Sequence, residues 1–287
     1  MLPIKLASVL LFLASLAACV SPATQSTEKA EELPAEPSNR VVLSSEIVWE
    51  ALNPARGDKS PQAGTIWGDR KGTVATGFLA KFVDGFSSPP HIHNVTYRAM
   101  VLKGLIHNDD PEAANMWMPT GSFWTQPAGE VHITSAQGEE NIAYVEIDRG
   151  PYLVKPTTEA FDEGERPINV DFQNMVWLDA SQTSLIESEV QVISPTIAFL
   201  WEQGDRAGYL LKLPAGYEGT LSSEGNEFHA VIIAGTLDYP MPNSGSIKPL
   251  DPGSYFTSSG RARHTLKVSS VQETLIYLRS NGSIFLK

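Results

Sequence analysis

At 287 residues, 42% of them apolar, the chain is long enough for two modest domains with hydrophobic cores. A formal charge of −12 speaks against nucleic acid as a partner. The single cysteine excludes a disulfide framework and any metal chemistry based on several thiolates.

The chain opens with "MLPIKLASVLLFLASLAAC", one lysine followed by an apolar run of signal-peptide length, too short for a comfortable membrane span. Its last four residues, "LAAC", resemble a bacterial lipobox, in which the cysteine is acylated and becomes the first mature residue. The resemblance implies a signal peptide over 1–18, lipidation at Cys19 and a lipoprotein of the bacterial cell envelope, anchored in the membrane and facing the periplasm. Val20 is not the usual inner-membrane retention signal, so the outer membrane is expected. Residues 19–40 are rich in Pro, Glu, Ser and Thr without aromatics, and are expected to form a disordered tether.

Beyond residue 40, short alternating apolar runs are separated by Gly, Pro, Asn and Asp, and no long amphipathic helix is evident. This pattern predicts an all-β sandwich or barrel. "GFLAKFVDGF" (77–86) matches "GYLLKLPAGY" (208–217), and "TYRAMVLKG" (96–104) matches "EFHAVIIAG" (227–235) at the same spacing. "GSFWT" (121–125) finds "GSYFT" (253–257) one residue further out of step. A near-constant offset through several elements predicts two copies of one β domain. Their boundaries are set at 41–160 and 161–287.

The first copy carries "PPHIHNVTY" (89–97) and "PAGEVH" (127–132). Residues two apart in a strand share a face, so His91 and His93 project together, and Tyr97 joins them if the strand stays regular. His132 must arrive from another strand. Three imidazoles converging inside a barrel are costly unless paired or metal-bound, and a divalent ion is the simplest compensation. Glu130, two residues before His132, is a candidate general base or a group that orients an imidazole. Met116, Trp117, Phe123 and Trp124 are expected mainly in the core, with one or two walling a pocket. His107, just past Gly104, is expected on a surface loop.

Gly85, His91, His93, Tyr97 and Gly104 have the spacing of the first cupin motif, with Tyr97 where a glutamate usually stands. Gly121, Pro127, Gly129 and His132 resemble the second motif, whose terminal Asn is Ala136 here. The fold implied is all-β, two tandem cupin barrels of the double-stranded β-helix (jelly-roll) type. "GSFWTQPAGEVHIT" further resembles DUF4437, a bicupin family of unknown function, and cupins related to acetylacetone-cleaving dioxygenase and to the sensory domain of the anti-sigma factor ChrR. The resemblance implies a divalent metal, Fe(II) or Zn(II), held by His91, His93 and His132. Tyr97 is then either a phenolate ligand or a neutral phenol behind the ligands, and is grouped with Glu130 as a catalytic candidate.

In the second copy the aligned positions hold Ser222, Glu224 and Phe228, and only His264 matches a ligand, so this half is expected to be metal-free. His229 aligns with Arg98 and should point out of the barrel. Two functions follow from the resemblance. One is a mononuclear non-heme iron dioxygenase acting on a small chelating, diketone-like substrate. The other is a zinc-containing sensor or carrier of a small ligand without catalysis. A small-molecule ligand, a membrane reached through Cys19 and a homodimer through the cupin sheets are the partners expected.

Overall fold

The computed structural model describes residues 38–187, 193–242 and 244–287; the expected signal peptide, Cys19 and all but the last residues of the tether lie outside them. Twenty strands run in chain order. The first ten are β1 (Ser38–Val42), β2 (Trp49–Ala51), β3 (Gln62–Trp67), β4 (Thr76–Phe82), β5 (Ile92–His93), β6 (Tyr97–Asp109), β7 (Phe123–Gln126), β8 (Ile133–Ile147), β9 (Val154–Lys155) and β10 (Ile168–Val170). The others are β11 (Thr196–Gln203), β12 (Arg206–Leu213), β13 (Glu218–Ser223), β14 (Phe228–Ala234), β15 (Leu237–Pro240), β16 (Ile247–Leu250), β17 (Tyr255–Ser259), β18 (Ala262–Lys267), β19 (Thr274–Ser280) and β20 (Ile284–Leu286). The described helices are short 3-10 turns, and none is long and apolar enough to cross a membrane.

These strands build two tandem cupin barrels. The first is organised on a seven-stranded sheet ordered β10-β7-β6-β8-β4-β3-β2, the second on a six-stranded sheet ordered β1-β17-β14-β19-β12-β11 facing a five-stranded one. In the first barrel β6 and β8 form one long antiparallel ribbon. Its register shifts around Lys103 and Gly104, where Gly104 adopts a positive φ of 75°. A side chain at that glycine would run into the Asn141 carboxamide and the Glu140 carbonyl, so the bulge requires glycine.

Strands are exchanged between the barrels. Ser38–Arg40, expected in the tether, are part of β1, which pairs antiparallel with β17 of the second barrel. β10, beyond the boundary drawn at residue 160, returns to pair with β7 of the first. Each edge strand thereby gains a partner for its open hydrogen-bonding groups.

The outer faces of the two large sheets pack on each other through Met100, Leu102, Phe123, Val231, Ile233 and Leu275. Paired positions of the repeat meet there. The Trp67 indole donates to the Tyr144 hydroxyl at 3.1 Å, and Trp201 donates to Tyr277 at 2.9 Å. Arg98 lies over Trp201 and His229 stacks on Trp67, so His229 does point out of its barrel. Fully buried Glu146 accepts from Tyr277 at 2.7 Å and pairs with fully buried Arg279 at 3.4 Å.

The two barrel interiors differ. The second is filled by Leu211, Tyr217, Phe228, Tyr239, Phe256 and Ile276, among others. In the first, Ala80 pairs across the strands with Ala143, where the second has Leu211 opposite Ile276. Replacing two large side chains by two methyl groups leaves the first barrel hollow.

Candidate metal centre

The histidine cluster is assembled by one antiparallel bridge. His91 and His132 face each other, each backbone N–H donating to the other's carbonyl at 3.0 Å. Directly opposed residues put their side chains on one face, and the two rings lie 4.3 Å apart between centroids. His93, two residues along, projects to the same side, with its ring 5.0 Å from His91 and 5.2 Å from His132. Ile92 between them turns the other way into the core. One nitrogen from each of the three lies within 4.8 Å of the other two, close enough for a single ion to be held by all.

The surrounding backbone selects the tautomer. Nδ1 of His91 faces the Pro89 carbonyl at 2.9 Å, that of His93 the Leu153 carbonyl at 3.1 Å, and that of His132 the Glu130 carbonyl at 3.3 Å. A carbonyl only accepts, so each Nδ1 carries the proton and each Nε2 presents a lone pair. Burial lowers the pKa of all three imidazoles: below the usual range for His91, well below for His93, and down to about 3 for His132. Proximity to one another lowers His93 and His132 further. Three neutral, pre-oriented nitrogen donors without any thiolate suit a borderline divalent ion such as iron, zinc, copper or nickel.

Two phenols flank this trio. The Tyr97 hydroxyl donates to Asn108 Oδ1 at 2.9 Å, accepts from the Trp124 indole at 3.4 Å and lies 3.5 Å from His132 Nε2. Burial pushes its pKa far up, so the group is a neutral phenol. Asn108 also accepts from Thr134 at 2.8 Å and donates to Gln126 at 2.9 Å. Gln126 donates in turn to the Glu130 carbonyl, which His132 also uses, at 3.3 Å. Tyr97 and His132 are therefore held at the two ends of one hydrogen-bond chain that runs through Asn108, Gln126 and the Glu130 carbonyl. The second phenol, Tyr152, was not anticipated. Its ring stacks on His93 at 4.4 Å, its hydroxyl lies 3.1 Å from His93 Nε2, and burial keeps it protonated too.

His91 and His93, with Tyr97 and Tyr152, line a cavity of about 500 Å³. Its walls are Phe78, Ala80, Phe82, Phe86, Trp124 and Val145, and the loop around Asn53 and Arg56 forms part of its rim. No carboxylate lines it among the described residues. Trp124 thus walls the pocket, whereas Phe123 belongs to the packing between barrels and Trp117 sits against His107.

Two expectations are corrected. The Glu130 carboxylate lines a separate surface cleft with Asp162 and Arg166, so only its carbonyl serves the site, and the general-base role has no geometric support. Residues 127–131 form a turn, where the two-residue alternation of a strand does not apply. His107 is buried in β6, because the chain continues as strand through the bulge at Gly104 instead of turning there. In the second barrel, His264 is buried between the Tyr239 hydroxyl at 2.7 Å and Ser258 at 3.0 Å, and stacks on Phe228. No second group of three ligands occurs among the described residues.

Residues 40–287 match the model of a domain of unknown function, DUF4437. The chain belongs to the DUF4437 family. Among curated proteins none matches significantly. Solved structures share the fold at low identity. A candidate dioxygenase from Nostoc punctiforme is 13% identical with a TM-score of 0.64, over 86% of this chain and 83% of that one. Lactobacillus farciminis oxalate decarboxylase, solved with formate, is 9% identical with a TM-score of 0.56, over 86% and 87%. A variant of Bacillus subtilis oxalate decarboxylase is 11% identical with a TM-score of 0.55, over 86% and 78%. This DUF4437 chain therefore has a cupin fold of two barrels, the first of which carries a three-histidine group able to hold a metal ion.

Proposed function

We propose that the protein uses a divalent metal in its first barrel to bind a small organic ligand through two oxygens, and that oxidative C–C cleavage of a diketone-like substrate is its reaction. The observation that carries this reading is the neutral three-histidine set beside a largely apolar cavity that no carboxylate lines among the described residues. Such a donor set leaves an ion its full double charge and room for an anionic chelate. When bound, an iron ion would supply Lewis acidity and an open position for O₂.

The protein's own groups do the rest. His91, His93 and His132 would hold the ion through Nε2. The Tyr152 hydroxyl lies beside Nε2 of His93, where it can donate to a ligand oxygen once that lone pair is taken, whereas the proton of Tyr97 is held by Asn108 and its oxygen packs against His132. Phe78, Phe82 and Trp124 exclude water from the ligand body. The dioxygenase reading draws support from the Nostoc neighbour, and a divalent ion from the Mn(II) centres described for Bacillus subtilis oxalate decarboxylase. The absence of a cavity carboxylate also favours the alternative, a zinc-containing binding or sensory protein, because no acid or base outside the phenols is available for proton transfer. Anchoring at the periplasmic face of the envelope through Cys19 is part of the proposal and rests on "LAAC".

Metal analysis of protein purified from its native envelope, followed by oxygen uptake of the iron-loaded form with a panel of β-diketones, tests the reading. Diketone-dependent uptake supports the enzyme. Binding without uptake, on a zinc-containing protein, supports the sensor or carrier.

A further inference from the structure

The cavity has a second polar feature far from obvious in the ligand set. Arg56 lies on its rim, its guanidinium carbon 5.1 Å from the centroid of the Phe86 ring, which itself walls the cavity. A short loop holds it there. Leu52 N–H donates to the Pro61 carbonyl at 2.7 Å, Arg56 N–H to Asn53 at 3.0 Å, and Ser60 N–H to Gly57 at 2.9 Å. Gly57 takes a positive φ of 55° to close the turn. Unlike Arg70, Arg98, Arg166, Arg206 and Arg279, Arg56 makes no ion pair among the described residues.

The charge balance of the cavity follows from these groups. Three neutral imidazoles would not offset a divalent ion, and Arg56 adds one positive charge on the rim. Among the described residues no carboxylate lines the cavity, so Arg56 is its one charged lining side chain, in a chain of net charge −12. A chelating enolate neutralises one charge only, and its apolar body meets Phe78, Phe82 and Trp124. The exposed Arg56 guanidinium, without an ion pair among the described residues, is available to an anionic group on the ligand.

We infer that the ligand of this site is a bifunctional organic anion: a chelating oxygen pair at one end, an apolar or aromatic body, and a carboxylate at the other end recognised by Arg56. This rests on the chelation reading above and narrows its substrate class. A guanidinium suits a carboxylate because its planar fork can donate two parallel hydrogen bonds.

The test compares benzoylacetone with its para-carboxylate, titrated calorimetrically into full-length zinc-loaded protein, with wild type, Arg56→Gln and His93→Ala side by side. Wild type should bind the carboxylate about tenfold more tightly than the neutral-tailed diketone, the scale of one charge-assisted contact at a partly exposed site. In Arg56→Gln that preference should fall to near parity, and in wild type it should shrink with added salt. Equal affinities in wild type, or a preference that survives Arg56→Gln, would overturn the inference and leave chelation standing, provided that both ligands need the metal. Failure of both ligands to bind wild type, or equal binding to His93→Ala, would sink the chelation reading and this inference with it.

Discussion

Filling the first barrel in the image of the second should abolish ligand binding without removing the metal. Ala80 and Ala143 are buried and directly paired, and their counterparts Leu211 and Ile276 occupy the same volume in the other barrel. Ala80→Leu with Ala143→Ile adds six carbons to the cavity wall. At about 0.8 kcal/mol per buried methylene the gross gain is about 5 kcal/mol. Strain from imperfect fit subtracts about 1–3 kcal/mol, leaving a net stabilisation of about 2–4 kcal/mol. For a protein of this size that raises Tm by roughly 5–10 °C. Thermal unfolding of the metal-free protein, zinc content by mass spectrometry and calorimetric titration with benzoylacetone would measure the three consequences. Undiminished ligand binding would show that the cavity between these strands is not the ligand site. A lower Tm would show that the hollow is not spare volume, and would refute the comparison between barrels.

His93→Ala should eliminate stoichiometric metal, whereas a substitution at His264 should leave it intact, as metal analysis of both variants would show. Tyr97→Phe should retain the metal, because the phenol is neutral and three imidazoles remain; loss of its hydrogen bond to Asn108 should lower unfolding stability by about 0.5–1.5 kcal/mol, read by urea denaturation. His264 titrates at about 4 in the folded protein because burial disfavours its charged form, against 6.5 for an ordinary imidazole. The unfolded chain therefore takes up the proton first, and stability is full above pH 6.5 and declines as pH falls toward 4, by on the order of 3 kcal/mol. In His264→Phe, urea unfolding across that window should show a flatter acid limb; an unchanged slope would mean that His264 is not its source. Cys19→Ser should leave an unprocessed precursor or release soluble protein, and an unaltered membrane fraction on immunoblotting would count against acylation.

Spacing was enough to find the three histidines, because their convergence depends on strand alternation and one cross-strand bridge. It was not enough for Tyr152, which reaches His93 across 59 residues of chain and belongs to no spaced pattern. Asn108 and Gln126 were hidden for the same reason: their role exists only once the strands bearing Tyr97 and His132 lie side by side. His107 was misplaced because a bulge was taken for a turn, whereas the direction in which the Glu130 carboxylate leaves its turn is not encoded in its spacing from His132. The hollow of the first barrel was legible, since "GFLAKF" sets Ala80 against the Leu211 of "GYLLKL". The strand exchange was not. A five-residue run such as β1 carries nothing that names a partner more than two hundred residues away.

The face where the two barrels meet has a consequence for how the pair could have arisen. Glu146 and Arg279 occupy equivalent positions of the repeat, each two residues beyond the tyrosine that binds its own tryptophan. In an isologous dimer of one identical barrel, residues on the two-fold axis meet themselves, and a buried charge there would face its own sign. Covalent fusion lifts that restriction. Once the halves could mutate separately, one side could become acidic and the other basic, as could the stacking positions now held by Arg98 and His229. The pseudo-axis of this molecule is therefore marked by a complementary pair that no symmetric ancestor could have contained, and reverting to two identical subunits would require giving it up.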